Sequence, residues 1–175
     1  HNFSFFFNKK KKNYELAIKY GKIEVKIHDS LKINNKQYAN ALYNLVKFYT
    51  TKNDFDNGIK YHKKAIQSNS YPLRKAQSYC YIGSIYFKKG EYYKSNNHYL
   101  KGIPLLEKYA SKKNLIAHCT DFTATCIKIK TKESIEIGLY YLKKADSIIQ
   151  NSPTLNIDNR TIYSINVVIA NLYSL

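Results

Sequence analysis

The sequence reads LYNLVKFY at residues 42–49 and YCYIGSIY at residues 79–86, so that one pattern occurs twice, 37 positions apart. Within both stretches apolar residues recur at spacings of three and four, which is the periodicity of an α-helix. A second helical stretch follows each one after a short polar turn, and a small residue stands early in it, at Gly58 and at Ser95. Self-similarity of this kind predicts tandem helix pairs.

The same helical periodicity runs through the rest of the chain, which contains only 6 glycines and 3 prolines in 175 residues. A third copy of the pattern passes through Phe122 and Cys126, and a fourth begins near Ile169. No long stretch alternates as a strand does. We therefore expect an all-α chain, with helices over residues 2–11, 14–29, 36–51, 54–69, 74–89, 91–110, 113–130, 133–150 and 159–175.

The length of the chain and its hydrophobic fraction of 44% predict one domain rather than two. We expect a single repeat domain over residues 1–175, with a partial repeat at 1–35, repeats at about 36–71, 72–111 and 112–152, and a partial repeat at 153–175. The chain contains no Met and its last residues are largely apolar. These two features favour a piece of a longer protein.

The second copy resembles the tetratricopeptide repeat (TPR), a family of helix pairs with a shared signature. The matching positions are Tyr79, Ile82, Gly83, Tyr86, Ser95, Tyr99 and Gly102. The neighbouring copies depart from the signature, since Val46 and Cys126 stand in place of Gly83. The units are also longer than the standard ~34 residues. In this they are similar to the long-unit variant of kinesin light chains and of repeat arrays in bacterial regulators.

This resemblance implies a right-handed α-solenoid that acts as a non-enzymatic protein-interaction module, the scaffold or sensor part of a larger regulatory protein. In the family, a peptide or partner domain lies in the concave groove along the first helix of each pair. The partner can be an effector domain of the same polypeptide. The groove residues carried over by alignment are Asn40, Tyr43, Asn44, Lys47, Gln77, Tyr81, Ser84, Lys88, Thr123 and Ile127.

Three of these positions carry a chemical expectation. Asn44 is similar to the asparagine with which long-unit members hold a peptide backbone, because an amide both donates and accepts hydrogen bonds. Tyr81 and Ala124 take its place in the next copies and depart from that pattern. Lys47 and Lys88 favour a partner that bears carboxylates. The alternative, that these side chains are exposed polar residues without a ligand, stays open at this point.

Charge supports a rival hypothesis. The sequence has 29 Lys and Arg residues against 12 Asp and Glu residues, a formal net charge of +17. Lys9 to Lys12 form an unbroken run, and lysines interleave with 18 tyrosines along the chain. Proteins bind RNA through cations that contact phosphates and rings that stack on bases. A basic helical-repeat protein that binds RNA is therefore the alternative, and a lysine-rich solvated surface without a ligand is the third possibility.

We find no catalytic or metal-binding constellation in the sequence. His118 and Cys119 are neighbours, so on a helix their side chains point about 100° apart and do not face each other as base and nucleophile. Cys119 and Cys126 share a helix face with no histidine close by, short of the four ligands of a structural zinc. The three cysteines form no disulfide framework, and no apolar run approaches the ~18 residues of a membrane span. We expect no enzyme, no metal and no cofactor; the compartment stays open, with the cytoplasm favoured.

Overall fold

The computed structural model describes residues 14–68, 71–157 and 159–173, and these residues form eight α-helices and no strand. The helices are α1 (Tyr14–Ser30), α2 (Lys36–Thr51), α3 (Phe55–Gln67), α4 (Pro72–Lys88), α5 (Tyr92–Tyr109), α6 (Lys112–Ile129), α7 (Lys132–Gln150) and α8 (Asn159–Tyr173). The all-α prediction is confirmed, and these helices begin and end within two positions of the predicted bounds. The predicted helix over residues 2–11 lies outside the described residues.

Polar caps explain why several helices begin where they do. The side chains of Asn35, Asp54, Ser111 and Thr131 each accept a hydrogen bond from the backbone N–H three residues later, at the starts of α2, α3, α6 and α7. Each bond satisfies an N–H group that the first helical turn leaves unpaired. The start of α4 is different, because Pro72 has no N–H group to satisfy there.

Consecutive helices pack as antiparallel pairs, which is clearest between α4 and α5. Gly83, late in α4, lies against Tyr99 in the first half of α5. Gly102, further along α5, lies against Cys80, which is earlier in α4. A Cβ atom at Gly83 would stand 2.8 Å from a ring carbon of Tyr99, so a glycine is needed for the two helices to approach this closely. The small residues of the repeat signature therefore mark the tightest contacts within a pair.

Neighbouring pairs are joined by a continuous core. The ring of Tyr99 in α5 stacks on Phe122 in α6, with ring centroids 5.4 Å apart. Ser95 Oγ and Thr125 Oγ1, on the same two helices, share a hydrogen bond of 3.1 Å. All four side chains are fully buried. Because a single helix pair cannot bury its apolar faces alone, this stacking between pairs stabilises the array.

Helices α2, α4 and α6 are the first helices of the pairs, and α4 contacts both α2 and α6. The second helices lie outside this row: α3 packs on α4, and α5 packs on α6. The side formed by α2, α4 and α6 is therefore the concave side of the array, and α3, α5 and α7 form the convex side. Helix α8 continues the inner row, because it contacts α6 and because Val168 is buried with Ile127 and Leu142. The result is an all-α solenoid.

Candidate functional site

The helices of the concave side differ from the rest of the chain in their charge. Of the 12 acidic residues in the sequence, only Asp121 lies within α2, α4 or α6. The same three helices carry the cationic residues Lys36, Lys47, Arg74, Lys75, Lys88, Lys112, Lys113 and Lys128. The carboxylates lie mostly on the second helices and in the turns. The inner row of helices therefore carries a large excess of positive charge.

Two stripes of side chains face each other where α2 meets α4. The stripe on α4 has spacings of three and four residues, which put its members on one helix face, and consists of Arg74, Gln77, Tyr81, Ser84 and Lys88. The stripe on α2 consists of Asn40, Tyr43 and Lys47. Except for Arg74, all of these are groove residues predicted from the sequence. We call the space between the two stripes the α2–α4 groove.

Arg74 joins the two stripes near the N-terminal ends of α2 and α4. Its Nε and Nη2 atoms donate to Asn40 Oδ1 at 3.3 and 3.2 Å, and its Nη1 atom donates to Gln77 Oε1 at 2.8 Å. The guanidinium carbon lies 4.2 Å from the centre of the Tyr43 ring, which is the geometry of a cation–π contact. Both amide partners are neutral, so they fix the position of the Arg74 charge without compensating it.

A cavity of about 340 Å³ opens in the groove between α2 and α4. Five predicted groove residues line it: Tyr43, Lys47, Tyr81, Ser84 and Lys88. The hydroxyl oxygens of Tyr43 and Tyr81 are 3.3 Å apart, within hydrogen-bond distance. Val46 and Ile85 add apolar wall, and the two lysines are exposed. The cavity therefore combines an aromatic and apolar interior with two exposed cations.

Two buried histidines lie beside Tyr81. His62 is fully buried, lines the cavity, and stacks on Tyr81 with ring centroids 5.6 Å apart. His118 meets the same ring edge-on at 5.4 Å. Neither ring nitrogen of His62, and not Nδ1 of His118, has a hydrogen-bond partner among the described residues. Burial lowers the pKa of His62 to about 3 and that of His118 to about 4, so both rings are neutral at pH 7.

Burial likewise raises the pKa of Tyr81, and the hydrogen bond with Tyr43 raises it further. The interior of the groove therefore carries no charge at neutral pH, and the positive charge of the α2–α4 groove comes from Arg74, Lys47 and Lys88. A ligand that enters the cavity would meet neutral rings inside it and cations around it.

Arg74 and His62 were not predicted from the sequence as groove residues. Arg74 precedes Gln77 by three positions and Tyr81 by seven, so helical spacing was a signal that could have placed it in the stripe. His62 occupies the position that Tyr99 has in the next unit, 37 residues later. This alignment predicts that the His62 ring is buried, but it does not predict that the ring lines a cavity.

The remaining predicted groove residues lie outside the cavity. Asn44 is 9% exposed, so neighbouring groups cover most of it. Thr123 is fully buried, and its hydroxyl donates to the backbone oxygen of Gly138 at 3.0 Å, so it faces α7. Ile127 is buried beneath α8 in a cluster with Val168. The structure thus brings together the residues of α2 and α4 and leaves those of α6 in the core.

The cysteines have no ligand-binding geometry. Cys80, Cys119 and Cys126 are free and buried. Burial raises the pKa of all three thiols, to about 12 for Cys119 and Cys126. Within residues 14–68, 71–157 and 159–173, no group of three or more His, Cys, Asp or Glu side chains is placed to hold a metal ion. No helix of the same residues combines the length and the apolar character needed to cross a membrane.

Comparison with known proteins finds similarity of structure. BtubC (BKLC) from P. vanneervenii superposes with a TM-score of 0.72 at 11% sequence identity, over 87% of this chain and 63% of its own. A protein of Podosopora anserina described as a kinesin light chain with nearly identical TPR-like repeats superposes with a TM-score of 0.61 at 8% identity, over 96% of this chain and 92% of its own. The chain thus spans under two thirds of the length of BtubC. No family model and no curated protein matches the sequence.

Proposed function

Because this chain is a TPR-like helical-repeat protein, we propose that it is a non-enzymatic protein-interaction module whose α2–α4 groove binds an acidic peptide segment of a partner. Proteins with TPR-like repeats generally bind other proteins, and the fold is typically a non-catalytic scaffold. In this proposal the chain is the scaffold or sensor part of a larger regulatory protein. The partner segment belongs either to another protein or to an effector domain of the same polypeptide.

One observation carries the proposal: a cavity large enough for a side chain opens between inner helices that are almost free of carboxylates. The cavity of about 340 Å³ has Tyr43, Tyr81, Lys47 and Lys88 on its lining, and Asp121 is the single acidic residue of α2, α4 and α6. A positive surface attracts negative segments and repels positive ones, which gives both speed of association and selectivity. The aromatic walls supply apolar contact area.

Binding of RNA is the second candidate, and the net charge of +17 favours it. On the convex side, Lys60, Lys63 and Lys64 of α3 line a surface depression, and Tyr93 and Tyr140 have exposed rings that could stack on bases. RNA held by many phosphate contacts is released steeply as salt rises. A peptide held by a few carboxylates and an apolar side chain is less sensitive to salt.

The experiment is a selection from a displayed library of random peptides, followed by affinity measurements on the enriched sequences. The test protein is the chain with Lys47→Gln and Lys88→Gln, and the matched control carries Lys60→Gln and Lys101→Gln on the convex side, so that both lose the same charge. We expect enriched peptides to be acidic, to bind the control as tightly as the unmodified chain, and to lose at least about tenfold in affinity on the groove variant.

Two results would contradict the proposal. One is an equal loss of affinity in both double variants, which would mean that only total charge matters. The other is enrichment without acidic sequences, while labelled single-stranded RNA binds the unmodified chain with an affinity that falls steeply between about 0.15 and 0.5 M salt. That second result would favour the RNA-binding alternative.

A further inference from the structure

We propose that the α2–α4 groove recognises two carboxylates about six residues apart in an extended peptide, one bound by Arg74 and the other by Lys88. This inference rests on the proposed function, because it specifies the acidic segment that the same groove would take. It comes from three features of the groove: the way in which Arg74 is held, the distance between Arg74 and Lys88, and the nature of the surface between them.

Arg74 is arranged as a binding group rather than as part of an ion pair. The two amides and the Tyr43 ring described above hold the guanidinium in one orientation, and three of its five N–H groups donate to the amide oxygens of Asn40 and Gln77. No carboxylate among the described residues forms an ion pair with Arg74. The remaining N–H groups can donate to a ligand, and a carboxylate is the acceptor that fits a guanidinium best.

The distance between the two cations sets the spacing. Arg74 and Lys88 lie on the same face of α4 and are 14 residues apart, which at a rise of 1.5 Å per residue is about 21 Å along the helix. An extended peptide advances about 3.3 Å per residue. A peptide that runs along α4 therefore needs about six residues to pass from Arg74 to Lys88.

The surface between the two cations fits the middle of such a peptide. Tyr81 and Ser84 lie on the α4 face between Arg74 and Lys88, and the cavity opens beside them. On the α2 side, Lys47 lines the same cavity and adds a third positive charge between the two ends. No acidic residue of α2 or α4 interrupts this path, because neither helix contains one. The middle of the peptide is therefore expected to bury one side chain in the cavity.

The experiment measures binding of two fluorescein-labelled peptides that are sequence isomers. Both consist of serine and alanine around a central tyrosine and contain two glutamates; the glutamates are six positions apart in one and adjacent in the other. Net charge and composition are thus identical. We expect the spaced isomer to bind the unmodified chain at least about fivefold more tightly, since it alone makes both charge-assisted contacts.

Variants assign the two contacts. With Arg74→Gln or Lys88→Gln we expect the two isomers to bind equally, and with the control Lys101→Gln on the convex side we expect the preference to remain. Arg74→Lys keeps the charge but not the planar fork, so we expect an intermediate preference. Arg74 also joins α2 to α4, so its replacement could unfold the chain. Circular dichroism melting shows whether each variant is folded. If Arg74→Gln is unfolded, Arg74→Lys is used in its place.

Equal binding of both isomers to the unmodified chain would overturn the two-carboxylate inference and leave an acidic groove ligand in place. A preference for the spaced isomer that survives Arg74→Gln and Arg74→Lys would overturn the assignment to Arg74. Failure of both isomers to bind, together with a peptide selection that yields no acidic sequences, would overturn this inference and the proposed function together.

Discussion

The hydroxyl oxygens of Tyr43 and Tyr81 lie 3.3 Å apart, so a hydrogen bond between these two side chains links two successive helix pairs beside the groove cavity. Tyr43 belongs to α2 and Tyr81 to α4, and the two residues are 38 positions apart in sequence. The bond therefore stabilises the array at the place where a ligand would enter.

Removal of this bond should weaken the contact between the pairs. We expect Tyr43→Phe and Tyr81→Phe each to lower the free energy of unfolding by about 0.5 to 1.5 kcal/mol, the usual net contribution of one hydrogen bond. The double variant should lose less than the sum of the two single losses, because both remove the same bond. Urea unfolding of the four proteins measures this coupling, and strictly additive losses would contradict it.

The buried histidines predict a loss of stability in acid. A histidine in an unfolded chain has a pKa near 6.5, and burial lowers it to about 3 for His62 and about 4 for His118. The unfolded chain therefore binds more protons below pH 6.5, so this part of the stability is complete above pH 6.5. It is lost as pH falls towards 4 for His118 and towards 3 for His62. Between pH 7 and pH 5, each histidine should lower the free energy of unfolding by about 2 kcal/mol.

Urea unfolding at pH 7 and at pH 5 measures this effect. The variant to compare is His62→Leu, which removes the titrating group. Leucine is chosen because Leu142 stands at the equivalent position of the third repeat. We expect the difference in unfolding free energy between the two pH values to shrink by about 2 kcal/mol in this variant. An unchanged difference would mean that His62 is not the source.

Gly83 should be hard to replace without a loss of stability. A Cβ atom there would lie 2.8 Å from the buried ring of Tyr99 and 3.2 Å from the backbone oxygen of Ser95, so Gly83→Leu should force α4 and α5 apart. We expect a loss of at least about 1 to 3 kcal/mol. The matched control is Gly58→Ala, whose Cβ atom would be no closer than 3.4 Å to its neighbours. A melting temperature of Gly83→Leu equal to that of the unmodified chain would refute the repeat alignment.

The thiols should be unreactive in the folded protein. Cys80, Cys119 and Cys126 are fully buried, and burial raises the pKa of each thiol, so little reactive thiolate is present at pH 8. We expect a thiol-specific chromogenic reagent to react slowly with native protein and with all three cysteines at once after denaturation. Rapid reaction of one native thiol would show that its part of the core opens easily.

Local signals made the helices predictable. Asn35, Asp54 and Thr131 cap helices in the structure, and the spacing of apolar residues gave the approximate ends of the eight helices within residues 14–68, 71–157 and 159–173. Gly83, which lies against Tyr99 in the structure, was identified in the sequence as a position of the repeat signature. These features depend on residues within one unit of sequence, which is why a single sequence was enough to predict them.

The groove was harder to predict, because its residues depend on contacts between units. Arg74 is oriented by Asn40, which is 34 positions away on another helix, and no local pattern indicates that bond. Thr123 and Ile127 were assigned to the groove by alignment, but Thr123 bonds to Gly138 and Ile127 is covered by α8. The repeat length changes between units, so an alignment can be wrong by one position. On a helix, one position is enough to exchange a groove residue for a core residue. Alignment alone therefore does not determine which residues of α6 face the groove.

The groove cavity crosses the boundary between two helix pairs, since α2 and α3 supply one wall and α4 the other. A side chain that fills this cavity would therefore contact both pairs at once and would hold the angle at which one pair follows the next. In an array of stacked pairs, the angle at one joint affects every later position along the axis. Occupancy of this single cavity would in that way fix the separation of anything attached to the two ends of the array.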